Sequence, residues 1–292
     1  MRAKKYLNLF GKGLAVTYLG LFGLSQLISG CFSFQMSPKE VNKAFKGRAY
    51  QPAFQSLDVI DRSMHYASIG DKTKPVAFFV HGSPGSWSAF VDFFKDDSLL
   101  AHVQMVSVDR AGFGESGLGQ GEKSLVRQAQ YLKPIVAQYK RAGQKVYLIG
   151  HSLGGPLIAR MAMDYPELID GLVMVAPSIA PDLEPKEWYR QPGDWLVFRY
   201  LLPDWLRASN REILYLKPEL EQMLPLWSRI TQPCIVIQGG KDVLVHPGNA
   251  DFAKQKLSRA AWVELVLIPD MNHFVPWSHP QLIRRAILRL VK

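Results

Sequence analysis

The chain has 292 residues, of which 48% are apolar and 21% charged, and it carries a formal net charge of +10. That composition provides for a sizeable core and excludes wholesale disorder. Four of the positive charges, Arg2, Lys4, Lys5 and Lys12, lie in the first thirty residues, which contain no acids, so +6 remains on residues 31–292. The rest are scattered among 25 acids without a basic helix or an RNA-binding aromatic motif, which argues against a nucleic-acid partner and leaves a mild attraction to anionic membrane surfaces.

Residues 1–30 run from basic residues through an uncharged stretch beginning at Gly13 to Leu27-Ile28-Ser29-Gly30-Cys31, the order of a signal sequence. The closing Ile-Ser-Gly-Cys resembles the bacterial lipobox. That resemblance implies lipid attachment at Cys31, with enough acyl chains for stable anchoring, and a folded domain held in the cell envelope outside the cytoplasm. Phe32 stands where the aspartate of inner-membrane retention would stand, so the outer membrane is open as a destination. An uncleaved membrane helix is the competing outcome, since eighteen uncharged residues lie near the lower limit for a span. Residues 31–52, with Ser, Lys, Pro and Gly and no clear period, read as a tether.

From there the punctuation becomes regular. Segments 57–60 and 64–69 predict a short antiparallel pair, followed by strands over 76–80, 103–108, 146–149, 172–175, 235–237 and 263–268. Helices are expected over 124–142, 157–165, 250–257 and 281–290. Strand alternating with helix predicts the α/β class, a mostly parallel central sheet flanked by helices, with chemistry at the carboxyl ends of the strands. The rhythm breaks over 177–232, which holds Trp188, Trp195, Trp205 and Trp227. This stretch reads as a helical cap inserted into a core of 53–176 and 233–292, its aromatics packing onto the core and collectively lining an apolar pocket.

Gly150-His151-Ser152-Leu153-Gly154 follows the apolar run 146–149. A serine between glycines after a strand is the pattern of a nucleophile elbow, in which a strained turn lifts the hydroxyl clear of the sheet. Because a serine hydroxyl is a weak nucleophile, it needs a base, and the base needs an orienting group. Asp242, in Gly239-Gly240-Lys241-Asp242, and His273, in Pro269-Asp270-Met271-Asn272-His273, each follow a predicted strand. Asp270 is a solvated turn residue by default, His151 a packing residue, and His246 and His279 structural residues beside prolines. Cys234 sits in an apolar run as a buried thiol. No histidine spacing suits a metal, and there is no phosphate loop or dinucleotide fingerprint, so no cofactor is expected.

With His81-Gly82-Ser83-Pro84-Gly85 after the third strand and Asp109-Arg110-Ala111-Gly112-Phe113-Gly114-Glu115-Ser116 after the fourth, residues from about 55 to 292 resemble the α/β-hydrolase superfamily. The resemblance implies Ser152 as nucleophile, His273 as general base and then acid, and Asp242 as the carboxylate that holds the imidazolium, with Asp182 as the alternative acid. It implies an oxyanion hole made by the backbone N–H groups of Ser83 and Leu153, and His81 organising that loop. The implied activity is a serine hydrolase forming an acyl-enzyme on apolar carboxylic esters. Aminopeptidase or amidase activity, carbon-carbon bond hydrolysis, and a binding protein that kept the fold without turnover are the alternatives. Serine at the elbow argues against dehalogenase and epoxide hydrolase chemistry, whose related enzymes place aspartate there.

Overall fold

The computed structural model describes residues 2–31, 34–140 and 143–292, with residues 2–9, 11, 30 and 31 described by backbone alone. Among the described residues eight strands form one sheet: β1 Ala53–Val59, β2 Arg62–Ile69, β3 Val76–Val80, β4 Gln104–Val108, β5 Val146–His151, β6 Gly171–Val175, β7 Cys234–Gly239 and β8 Val263–Ile268. Their order is β1-β2-β4-β3-β5-β6-β7-β8. β1 and β2 pair antiparallel, β2 lies antiparallel to β4, and the remaining strands run parallel.

Strands β3 to β6 are buried along their whole length; β3 and β6 accordingly read as unbroken apolar runs, while β4 also buries Gln104 and Ser107. Along β3, Val76, Phe78 and Val80 belong to one apolar cluster and Ala77 and Phe79 to the other, the alternation that a pleated strand imposes. Helices α3 (Leu125–Tyr139), α4 (Gly154–Asp164) and α6 (Asn249–Lys256) contribute to the first cluster. The second takes residues from α2 (Pro38–Phe45) and α7 (Pro280–Val291).

Helix α2 corrects the expected tether over 31–52. Ser37 and Glu40 form a reciprocal capping box, Pro38 opens the helix, and Val41 and Phe45 are buried in the second cluster. Two apolar residues four apart place both on one helix face, and burying Phe45 completely favours docking by roughly 1.5–3 kcal/mol. Ahead of it, α1 spans Arg2–Cys31. Among the described residues no helix is long and apolar enough to cross a membrane. The side chain of Cys31, the expected lipid site, lies outside the described residues, as does Phe32.

Between β6 and β7 the chain forms short helices, with α5 (Asp204–Leu214) among the longest. Its aromatic residues divide in a way composition did not indicate. Trp227 is buried in the core cluster, whereas Trp188 and Trp195 are exposed. Connections from β3 and β5 leave toward opposite sides of the sheet, so a crevice opens at their carboxyl ends.

Candidate active site

Ser152 occupies that crevice. It follows β5 with φ 53°, in the left-handed region, which costs a residue other than glycine on the order of 1–3 kcal/mol and must be held by its surroundings. Ser152 N–H donates to Val175 O at 2.9 Å, and Ser152 O accepts from Gly155 N at 2.8 Å. The flanking glycines are steric requirements: a Cβ on Gly150 would overlap the Gly154 carbonyl, and one on Gly154 would overlap the Val80 carbonyl.

The ends of β7 and β8 bring Asp242 and His273 together. Asp242 Oδ2 lies 2.8 Å from His273 Nδ1, while Oδ1 accepts from Leu244 N at 2.9 Å and Val245 N at 2.8 Å. Burial alone would raise the Asp242 carboxyl, but the His273 contact and the backbone donors outweigh it and hold the group below its ordinary value of 3.8. With Nδ1–H directed at this carboxylate, Nε2 of His273 is left to take a proton.

Ser152 and His273 line the same cavity, although no hydrogen bond joins Ser152 Oγ to the imidazole among the described residues. Such contacts often tighten only around a bound substrate. Of the competing groups, Asp270 is an exposed partner of Lys241, and Asp182 lies in the 3-10 turn Pro181–Leu183 without contacting His273. His151 packs its ring against His273, centroids 4.8 Å apart, and its Nε2 lies 3.1 Å from His273 O. Burial, with the neighbouring His273, pushes His151 down to about 3, so it is neutral near pH 7 and suits packing rather than proton transfer. Cys234 is buried and pushed up to about 12 by that burial.

The loop after β3 supplies the other wall. Ser83 lines the cavity, and neither Ser83 N–H nor Leu153 N–H has an acceptor among the described residues. A Cβ on Gly82 would come within 2.9 Å of Ser152 Cβ, which shows how closely loop and elbow approach.

Arg110 holds this loop, and nothing local in the sequence announces that role. Fully buried, it donates from Nε to His81 O and from Nη2 to Gly82 O, both at 2.9 Å. Its fork grips Glu212 of α5 through two 2.7 Å contacts. Gly82 C=O and Ser83 N–H belong to one planar peptide, so fixing the carbonyl orients the N–H. The Arg110 backbone N–H donates to His81 Nε2 at 3.0 Å, and His81 Nδ1 lies 2.6 Å from Gly82 O. Burial and the adjacent Arg110 charge hold His81 well below its ordinary value, which suits the neutral tautomer these contacts require. Ser83 Oγ also donates to Ser209 Oγ of α5 at 2.9 Å, so the cap helix meets the loop directly.

Arg110→Met is expected to cost about 3–5 kcal/mol, because it leaves the Glu212 carboxylate buried without its partner. Arg110→Met combined with Glu212→Leu should recover the share due to the unpaired carboxylate, while the His81 and Gly82 carbonyls stay without their donor. Urea midpoints of the two variants test this; a double variant no more stable than the single one would refute it.

The cavity above Ser152 has a volume of about 640 Å³ and is lined by Phe34, Ala89, Trp205, Leu244, Phe274 and Trp277 around the polar groups. Of the four cap tryptophans only Trp205 lines it, so the expected collective aromatic lining is corrected. Phe34, from the segment after α1, and Phe274 and Trp277, beside His273, provide the other aromatic walls. No Lys or Arg is among these lining residues.

A model of the alpha/beta hydrolase family matches residues 77–286. A 2-hydroxy-6-oxononadienedioate/2-hydroxy-6-oxononatrienedioate hydrolase of Pseudomonas sp. is 32% identical over 121 residues, covering 40% of this chain and 41% of that protein. The structure of a membrane phospholipase A, described as a bacterial virulence factor, aligns with 99% of this chain and 98% of its own at TM-score 0.63 and 18% identity. A putative lipase from Acinetobacter baumannii aligns with 89% of this chain and 97% of its own at TM-score 0.62 and 20% identity.

Proposed function

The chain belongs to the alpha/beta hydrolase family, and from that premise we propose a membrane-anchored serine hydrolase that cleaves apolar carboxylic esters through an acyl-enzyme. The observation that carries the reading is the 2.8 Å Asp242–His273 contact beside the cavity that Ser152 also lines.

In this mechanism Ser152 Oγ attacks the ester carbonyl as His273 Nε2 takes its proton, and the Ser83 and Leu153 N–H groups hold the oxyanion. Collapse breaks the bond to the alcohol, which leaves with the proton from His273. Water, deprotonated by the same imidazole, then attacks the acyl-serine, and a second collapse frees the acid and returns the proton to Ser152.

Carbon-carbon bond hydrolysis is the second reading, favoured by the partial match to the dienedioate hydrolase. The cavity lining argues against that substrate class: a dienedioate carries two carboxylates, and no Lys or Arg is among the lining residues. The lipase and membrane phospholipase likenesses support apolar acyl groups and a membrane setting, with lipid at Cys31 as the anchor.

A fluorophosphonate probe is expected to label Ser152 in the full chain and to leave Ser152→Ala unlabelled. Folded wild-type protein that resists the probe would sink the reading. A panel of acyl-chain esters, lactones, aminoacyl amides and dienedioates then separates the activities, and mass spectrometry of the mature N-terminus tests lipid at Cys31.

A further inference from the structure

Two neighbouring features of the cap are unused by the site. Between Trp188 and Tyr200 the chain exposes Trp188 (82%), Trp195 (57%), Leu196 (68%), Val197 and Phe198 to solvent. A large apolar patch kept in water marks an interaction surface. Beside it lies a cavity of about 480 Å³ lined by Arg62, Lys123, Arg199, Arg207 and Arg211. Arg199 and Tyr200 belong to both features.

The cavity has cationic capacity to spare. Of its two carboxylates, Glu122 and Asp194, the first is engaged by Arg127. Arg207 is paired with Asp204, whereas Arg199 lies over the Tyr200 ring and Arg62 over the Tyr131 ring. The Nε atoms of Arg62 and Arg211 are buried without an acceptor. Clustered guanidinium groups beside exposed tryptophans suit a lipid-water interface, where aromatic side chains enter the headgroup layer and the arginine fork matches phosphate oxygens. The proposed anchor is close: Cys31 is three residues before Phe34, a reach of about 10 Å at most. Phe34 meets Trp205 at 5.2 Å on α5, which also carries Arg207 and Arg211.

We propose that the exposed cap segment 188–200 and the adjoining arginine cavity dock on a phospholipid surface, the tryptophans entering the interface and the guanidinium groups taking headgroup phosphates. The inference rests on the membrane-anchored reading for its tether but requires no turnover.

Residues 1–86 contain no tryptophan, so bromine on lipid tails quenches only tryptophans of the folded domain that enter the bilayer. The full chain is reconstituted in vesicles of dibrominated phosphatidylcholine with and without phosphatidylglycerol. The quenched fraction is expected to fall roughly twofold in the Trp188→Phe, Trp195→Phe double variant. Phosphatidylglycerol should increase quenching of the wild type in a salt-sensitive way, and Arg199→Gln with Arg211→Gln should remove that increase.

Unchanged quenching in the tryptophan variant would overturn the proposal. So would self-association in sedimentation that shields these tryptophans from bromine, since it would make the patch a contact between copies of this chain. Saturable binding of inorganic phosphate that depends on Arg211, together with vesicle quenching indifferent to the arginines, would make the cavity a soluble-anion site and overturn it equally. Ser152→Ala should quench like wild type, so failure of the hydrolase reading leaves this outcome readable.

Discussion

Replacing Ser152 with alanine is expected to lower kcat on a preferred ester by about a millionfold, and His273→Ala by a similar factor, with the double variant no worse than either. Nucleophile and base act as one unit: without Nε2 the hydroxyl keeps its proton, and without the hydroxyl the base has nothing to activate. What remains is catalysis by the oxyanion hole and substrate binding, which water exploits poorly. Ser152 Oγ makes no hydrogen bond among the described residues, so Ser152→Ala should keep the wild-type unfolding midpoint. Steady-state hydrolysis and circular dichroism of the three variants check both statements. A folded Ser152→Ala protein within tenfold of wild-type turnover would remove Ser152 from the mechanism.

How much of this was legible in the sequence depended on the range of the interaction. β3 and β6 announced themselves because burial on both faces leaves nothing polar in them, and β3 and β8 begin and end where the sequence places them. Ser152, Asp242 and His273 stood out because each sits among glycines or turn residues at a strand end. Arg110 did not. Its partner Glu212 is 102 positions away on the cap, and a lone arginine in a turn carries no sign that it will be buried. Phe34 was hidden in the same way, within a segment whose Ser, Lys and Pro content suggested a tether. In the cap, tryptophan count could not separate Trp227 in the core from Trp205 in the cavity wall or Trp195 in solvent, because those fates are decided by short helices with little periodicity.

Asp242→Asn is expected to lower kcat by about ten-thousandfold while leaving the imidazole close to its place. The backbone fixes which way the new amide points. Oδ1 of Asp242 accepts from the Leu244 and Val245 N–H groups, so the asparagine carbonyl must take that position and its NH2 must face His273 Nδ1. An amide donor there drives the ring to the tautomer with the proton on Nε2, removing the lone pair needed to deprotonate Ser152. The same NH2 also meets Gln238 Nε2, which donates to Asp242 Oδ2 at 3.2 Å in the wild type. Stability should carry the signature of the lost charge. Asp242 is held below its ordinary value of 3.8 in the folded chain, so its carboxylate contributes stability that is present above that value and lost as pH falls through the folded one. Asparagine carries no such charge, so the stability gap between wild type and Asp242→Asn should be widest near neutral pH and close on the acid side. Urea midpoints across that range measure it, and a gap that widens on acidification would mean that the Asp242 carboxylate is not the group His273 stabilises.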